Sequence, residues 1–159
     1  MVNIIQIHDD KEKSNITRRI LENLPEWFGD KESLEKYVNT VKGKPFYAAV
    51  EENKNSIGFL SLKLHNKYTA DLYVTGILKK YHRQGIGKLL VQRAESYLMK
   101  NKYKFFMVKT LGESSSDESY AKTRKFYFSQ GFYPMEEIKE IWGEKNPCLI
   151  MVKNIENDY

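Results

Sequence analysis

Cysteine is almost missing from this chain. Cys148 stands alone among 159 residues, which excludes an internal disulfide and fits a reducing compartment. No apolar stretch approaches the roughly 20 residues that cross a bilayer, and no N-terminal run has signal-peptide character. A cytoplasmic protein without membrane contact is expected. Histidine is also rare: His8, His65 and His82 lie far apart without ligand spacing, which argues against a metal site. The net charge of +5 is dispersed, with no basic tail, zinc-ligand spacing or aromatic RNA-binding signature, and this argues against nucleic acid. A modest positive excess does suit a polyanionic ligand.

What remains is an ordinary globular composition, 41% apolar and 30% charged, long enough for a sizeable core in one domain, residues 1–159. Val2 to Ile7 alternates as a strand. Ser14 is expected to start a helix whose Ile16, Ile20, Leu21 and Leu24 share a face, with Pro25 stopping it. After Trp27-Phe28-Gly29, residues Leu34, Tyr37, Val38 and Val41 give a second helix, closed by Gly43 and Pro45. Strands Phe46 to Glu51 and Ile57 to Leu64 follow, joined by a polar turn. Neither a repeat nor a linker interrupts the chain.

The most informative stretch is Leu78-Lys79-Lys80-Tyr81-His82-Arg83-Gln84-Gly85-Ile86-Gly87-Lys88-Leu89-Leu90. Asp71 to Leu78 before it reads as a strand. After it, Ile86, Leu89, Leu90, Ala94, Tyr97 and Leu98 recur at helical spacing. A basic turn with two glycines at a helix start can aim backbone N–H groups at an anion, and the glycines keep side chains out of a phosphate's way. A third glycine, as in a dinucleotide fingerprint, is lacking because that position is Leu90. A P-loop is excluded because Leu89 follows Lys88.

A second informative region begins with Phe105 to Leu111, a strand of buried type. Gly112 to Asp117 reads as a loop, with Ser115 and Glu118 as a capping box for the next helix. That helix carries Tyr120, Thr123 and Tyr127 and ends at Gly131. Cys148 to Val152 is the expected last strand.

Tyr81-His82-Arg83-Gln84-Gly85-Ile86-Gly87-Lys88 resembles the acetyl-CoA-binding segment of the GNAT superfamily of N-acetyltransferases, written Arg/Gln-x-x-Gly-x-Gly/Ala, with His82 in place of the first residue. Thr123 to Phe132 resembles the family's A-x-x-Phe-Tyr-x-x-x-Gly-Phe, with Thr123 for Ala and with Tyr120 where many members carry a cofactor-contacting Asn. The resemblance implies an α/β (α+β) GNAT fold, a mixed and mostly antiparallel sheet of about seven strands flanked by helices. It also implies acetyl-CoA as co-substrate. His82, Arg83, Gln84, Gly85, Ile86, Gly87 and Lys88 would hold the pyrophosphate, and Tyr120 would lie along the cofactor. Main-chain groups of Ile77, Leu78 and Lys79, left unpaired where this strand splays from the next, would take the pantetheine arm and the oxyanion.

Acetyl transfer needs a neutral amine, a stabilised oxyanion and a proton for the departing thiolate. By resemblance Tyr127 is the general acid; a phenol with a pKa of about 10 is protonated at neutral pH and can donate. Packing is the competing role for Tyr127, as it is for Trp27 and Trp142, which stand in the two segments expected to face the acceptor. The acidic late loop Glu136 to Pro147 would favour a cationic amine. Asp71 and Glu22 are candidate bases but read more simply as solvated carboxylates. The leading function is acetyl transfer to a small-molecule primary amine. Protein lysine or N-terminal acetylation and a non-catalytic acyl-CoA sensor are the alternatives, and a homodimer is allowed.

Overall fold

The computed structural model describes residues 1–155. Strand β1 (Asn3–Gln6) leads into α1 (Asp10–Glu22), α2 (Pro25–Phe28) and α3 (Lys31–Thr40). Helix α1 starts four residues earlier than Ser14, because the Asp9 carboxylate accepts from the Glu12 N–H at 2.8 Å and acidic residues fill the first turn. Such a cap satisfies an orphan N–H and suits the positive end of the helix. Ser14 lies inside the helix, where its buried hydroxyl donates to the Val38 carbonyl at 2.7 Å. Asn23 closes α1, and Pro25 opens α2 instead of stopping the preceding helix. Asp30 caps α3 in the same manner as Asp9 caps α1.

Next come β2 (Phe46–Val50), β3 (Ser56–Leu64) and β4 (Thr69–Ile77), a single 3-10 turn (Lys79–Tyr81) and α4 (Ile86–Lys100). The remainder is β5 (Phe105–Leu111), α5 (Glu118–Ser129), β6 (Tyr133–Ile138), α6 (Lys139–Trp142) and β7 (Cys148–Asn154). Helix α5 is capped by Asp117, whose carboxylate accepts from the Ser119 and Tyr120 N–H groups. The expected cap, Ser115, instead accepts from the Asp117 N–H one turn earlier. The strands hydrogen-bond in the order β1-β2-β3-β4-β5-β7-β6. Pairs β1–β2, β2–β3, β5–β7 and β6–β7 are antiparallel, and β4–β5 is parallel. This is the expected mixed, mostly antiparallel sheet with helices.

The segment from Glu136 expected as a loop is the end of β6 followed by α6. It escapes hydrophobic patterning because β6 is an edge strand with most of its residues exposed. Pro134 is tolerated there, at a register irregularity against β7.

The chain divides into two compact units, Met1–Lys63 with Tyr73–Tyr97, and Leu64–Leu72 with the residues from Leu98 onward. In the first, Ile16, Ile20 and Leu21 of α1 and Val38 of α3 pack on Phe46, Ala48, Phe59 and Val74 of the strands. Phe46 and Phe59 stack with centroids 5.2 Å apart. Gly76 belongs to this packing: a side chain there would meet Ile20, Leu21 and Leu24 at 3.1–3.2 Å. In the second unit, fully buried Phe106 of β5 lies edge-on to Phe132, which in turn meets the Tyr127 ring. No helix among the described residues is long and apolar enough to cross a membrane.

Candidate active site

The turn between β4 and α4 is fastened from below and open above. The Leu78 N–H donates to the Ile57 carbonyl at 2.9 Å, and the Leu78 carbonyl accepts from Tyr81. His82 is pinned twice: its Nε2 donates to the Ile77 carbonyl at 2.6 Å, and its ring sits edge-on to Trp27 at 5.8 Å. The Tyr81 hydroxyl donates to Glu51 at 2.6 Å, and this bond raises the phenol pKa above its ordinary value. Gln84 Nε2 donates to the Lys80 carbonyl at 3.2 Å.

These bonds correct one expectation. The Leu78 N–H and the Ile77 carbonyl are not unpaired main-chain groups, because Ile57 and His82 hold them.

Above this base the backbone turns through Arg83 at φ 62° and Gly85 at φ 79°. Glycine takes such a value without strain, whereas arginine does so at a cost of order 1 kcal/mol or more. A side chain added at Gly85 would find nothing within 4 Å. The Leu89 N–H is the first in α4 to find a main-chain acceptor, Gly85, at 3.1 Å. The N–H groups of Ile86, Gly87 and Lys88 precede it and have no helical partner. Among the described residues no side chain caps them. Arg83, Gln84, Gly85 and Lys88 are exposed. Lys79 pairs with Glu26, whose carboxyl is held below its ordinary range chiefly by that hydrogen bond. Lys80, Arg83 and Lys88 have no carboxylate partner among the described residues. The turn is therefore a concentration of uncompensated N–H dipoles and cationic side chains, an arrangement that suits a bound polyanion.

In the second unit, α5 is tied to β5 by buried Arg124, which donates to the Leu111 carbonyl at 2.6 Å. Tyr127 is 5% exposed, with its ring 5.6 Å from Phe126 and 5.8 Å from Phe132. Packing and chemistry are thus compatible for this residue. Thr123 and Tyr120 are half-buried one and two turns earlier. Thr110 of β5 is 2% exposed, and its hydroxyl has no hydrogen-bond partner among the described residues.

Asp71 departs from the expectation of a solvated carboxylate, being only 4% exposed. His65 Nε2 lies 3.2 Å from its Oδ2, and Lys109 Nζ lies 3.9 Å from the same oxygen. In the sequence His65 stands out only as a histidine without ligand spacing; the one signal of its pairing is its position six residues before an acidic residue across a short polar turn. Glu22 does match its reading as a surface group, ion-paired with Arg18. Trp27 packs partly buried against the core of the first unit, and Trp142 is 41% exposed. Glu137 of the acidic stretch accepts from the Ser114 hydroxyl.

Among solved structures, an acetyltransferase of the GNAT family from Desulfovibrio desulfuricans superposes with a TM-score of 0.80 at 18% identity, covering 98% of this chain and 99% of that one. The ribosomal-protein-S18-alanine N-acetyltransferase from Escherichia coli gives 0.76 at 16% identity, covering 100% and 97%. A GNAT family acetyltransferase from Elizabethkingia anophelis with acetyl-CoA bound gives 0.69 at 16% identity, covering 96% and 97%. A search of curated proteins finds none that matches this sequence. The acetyltransferase (GNAT) domain family matches residues 42–134, which include β2 to β5, the glycine turn and α5. With more than half its length inside that match, the chain belongs to the GNAT acetyltransferases.

Proposed function

We propose that this enzyme uses acetyl-CoA as co-substrate and transfers the acetyl group directly to a primary amine of a small molecule, acting as a single catalytic domain. The observation that carries the reading is the glycine turn. Ile86, Gly87 and Lys88 present N–H groups without a helical partner beside Arg83 and Gly85 in left-handed conformations, and Lys80, Arg83 and Lys88 have no carboxylate partner among the described residues. A diphosphate fits that donor set, and Gly85 leaves open space for it. Gln84 and His82 shape the turn through their bonds to Lys80 and Ile77.

Acetyl-CoA supplies the acetyl group as a thioester whose thiolate is a tolerable leaving group. Tyr127 donates its phenolic proton to the departing sulfur, as a phenol with an ordinary pKa of about 10 can do at neutral pH. Tyr120, on the same helix, flanks the cofactor. The N–H of Lys79, at the opening of the 3-10 turn, is the main-chain donor for the arm that the bonds of Ile77 and Leu78 leave to this segment. Exposed Glu136, Glu140 and Glu144 favour an acceptor of positive charge.

A protein amino terminus is the second reading, favoured by the fold's likeness to an enzyme that acts on a ribosomal protein. One assay tests both. Acetyl-CoA is incubated with primary amines, including polyamines, aminosugars and short peptides with free N-termini, and released CoA thiol is measured. Release with small amines supports the first reading, and release with peptides alone replaces it with the second. Bound acetyl-CoA without release from any acceptor would leave only a sensor of the cofactor.

A further inference from the structure

A proton must leave the attacking amine, and none of the residues assigned above takes it. We propose that His65, oriented by buried Asp71, is the general base of this enzyme. The inference rests on the acetyl-transfer reading and deepens it.

The first support is electrostatic. A carboxylate that is 4% exposed needs partners, and Asp71 has taken a histidine ring at 3.2 Å and a lysine at 3.9 Å. An imidazole whose Nε2–H points at a buried carboxylate is fixed in one tautomer, with the Nδ1 lone pair free to accept. The His65 side chain remains 27% exposed, so a proton received at Nδ1 can pass on to water.

The second support is position. The parallel ladder of β4 with β5 runs from Thr69↔Phe105 to Leu72↔Val108. An extended arm lying along β5 on the edge away from β7 can go no deeper than Val108, where main-chain pairing closes the way. Asp71 is the residue next to that closing pair. Lys109 is the first residue of β5 beyond it.

The third support is the division between faces. Phe106, Val108 and Thr110 share one face of β5 and are buried, and Phe106 reaches Tyr127 through Phe132. Asp71 is in register with Met107, on the opposite face, where Lys109 also projects. The proposed acid and the proposed base thus approach the strand from opposite faces, so that giving a proton to sulfur and taking one from nitrogen fall to separate groups that do not pair with each other.

The step balances simply. The amine nitrogen forms its bond to the acetyl carbon as the carbon–sulfur bond breaks; one N–H proton goes to His65 Nδ1, and the phenolic proton of Tyr127 goes to sulfur. Asp71 on β4 faces His65, and Lys109 on β5 lies by the same carboxylate; Lys63 and Lys67 flank His65 in sequence, with their ammonium groups over the Tyr73 and Tyr68 rings, and the Cys148 thiol on β7 interacts with Asp71 and Lys109.

The test compares wild type with His65→Gln, His65→Asn and Asp71→Asn, using the fastest acceptor from a set of spermidine, an aminosugar and a glycyl peptide. The glutamine and asparagine variants should bind acetyl-CoA with unchanged affinity and melt close to wild type, while kcat/KM at neutral pH falls about 100-fold. Their rate should then climb with pH toward the pKa of the amine itself, because only the free amine reacts without a base. Nitrogen-15 spectra of histidine should show His65 protonated on Nε2 and not on Nδ1, and Asp71→Asn should redistribute the two tautomers. A wild-type rate and pH profile in the His65 variants, or a proton on Nδ1, overturns the proposal and leaves acetyl transfer standing. Failure of wild type to release CoA with any acceptor removes the transfer reading, and the base with it.

Discussion

Replacing Gly87 with valine separates binding from folding. Gly87 is the second residue of α4, in a helical conformation and half-buried. Valine there places an isopropyl group in the first turn of the helix, beside the Gly87 and Lys88 N–H groups that have no helical partner. Helix propensity favours valine over glycine by several tenths of a kcal/mol, so the free protein should be as stable or slightly more so. For a domain of this size that is a rise of no more than about 2 °C in Tm. Binding should move the other way. A hydrogen bond from an amide to a charged group is worth roughly 1.5–3 kcal/mol, so keeping the diphosphate from one such donor weakens acetyl-CoA binding by about 10- to 150-fold. Isothermal calorimetry and thermal unfolding on the same samples read the two effects independently. Gly87→Ala is the internal control. The family pattern accepts alanine at this position, so affinity should be retained while stability gains up to about 1 kcal/mol. Unaltered acetyl-CoA affinity in Gly87→Val would refute the assignment of the turn as the diphosphate site, whatever happened to Tm.

Tyr127→Phe should keep acetyl-CoA affinity and lower kcat by about 100-fold or more, measured by CoA release; unchanged turnover would strip Tyr127 of its role as acid. Thr110→Val should raise thermal stability, because the wild type buries a hydroxyl without a partner among the described residues, at a cost of roughly 1–3 kcal/mol; a lower Tm would mean that the hydroxyl is satisfied in solution. Tyr47 is fully buried, and desolvation pushes its pKa up to about 12 from 10.0. The folded state then keeps a proton that the unfolded chain has lost between those two values, so stability is fully present below pH 10 and declines through the window by about 1.4 kcal/mol per pH unit. Alkaline denaturation should show this slope, and Tyr47→Phe should flatten it. Phe132→Ala, which empties a fully buried site between Phe106 and Tyr127, should destabilise by about 3–5 kcal/mol in urea titration.

Much of this fold is legible from periodicity, because burial imposes it. Leu34, Tyr37, Val38 and Val41 mark the inward side of α3, and β5 follows from the apolar run Phe105 to Val108 and the alternation of buried Phe106, Val108 and Thr110. The turn before α4 was equally readable as a break between strand and helix, with Gly85 taking the left-handed conformation and Gly87 lying in the first turn of α4. Helix starts were less so. Asp9 and Asp117 outcompete Ser14 and Ser115 as caps, and a sequence with several short polar residues in a row does not say which oxygen wins. Strand β6 was hidden because an exposed edge strand needs no apolar alternation. Asp71 misled for a related reason. Between Ala70 and Leu72 it occupies the position of an outward residue, yet His65 and Lys109 lie over it. Burial of a charge depends on what neighbouring segments bring, and only the folded chain reveals it.

The central claim is that main-chain amides opening α4 grip a diphosphate. Titrating CoA into nitrogen-15-labelled protein and following amide resonances tests it most directly. The account predicts that the N–H signals of Gly85, Ile86, Gly87 and Lys88 move together and saturate with a single affinity, as expected for protons entering bonds to a dianion. Saturable CoA binding that leaves those signals in place, or no binding at all, would contradict it.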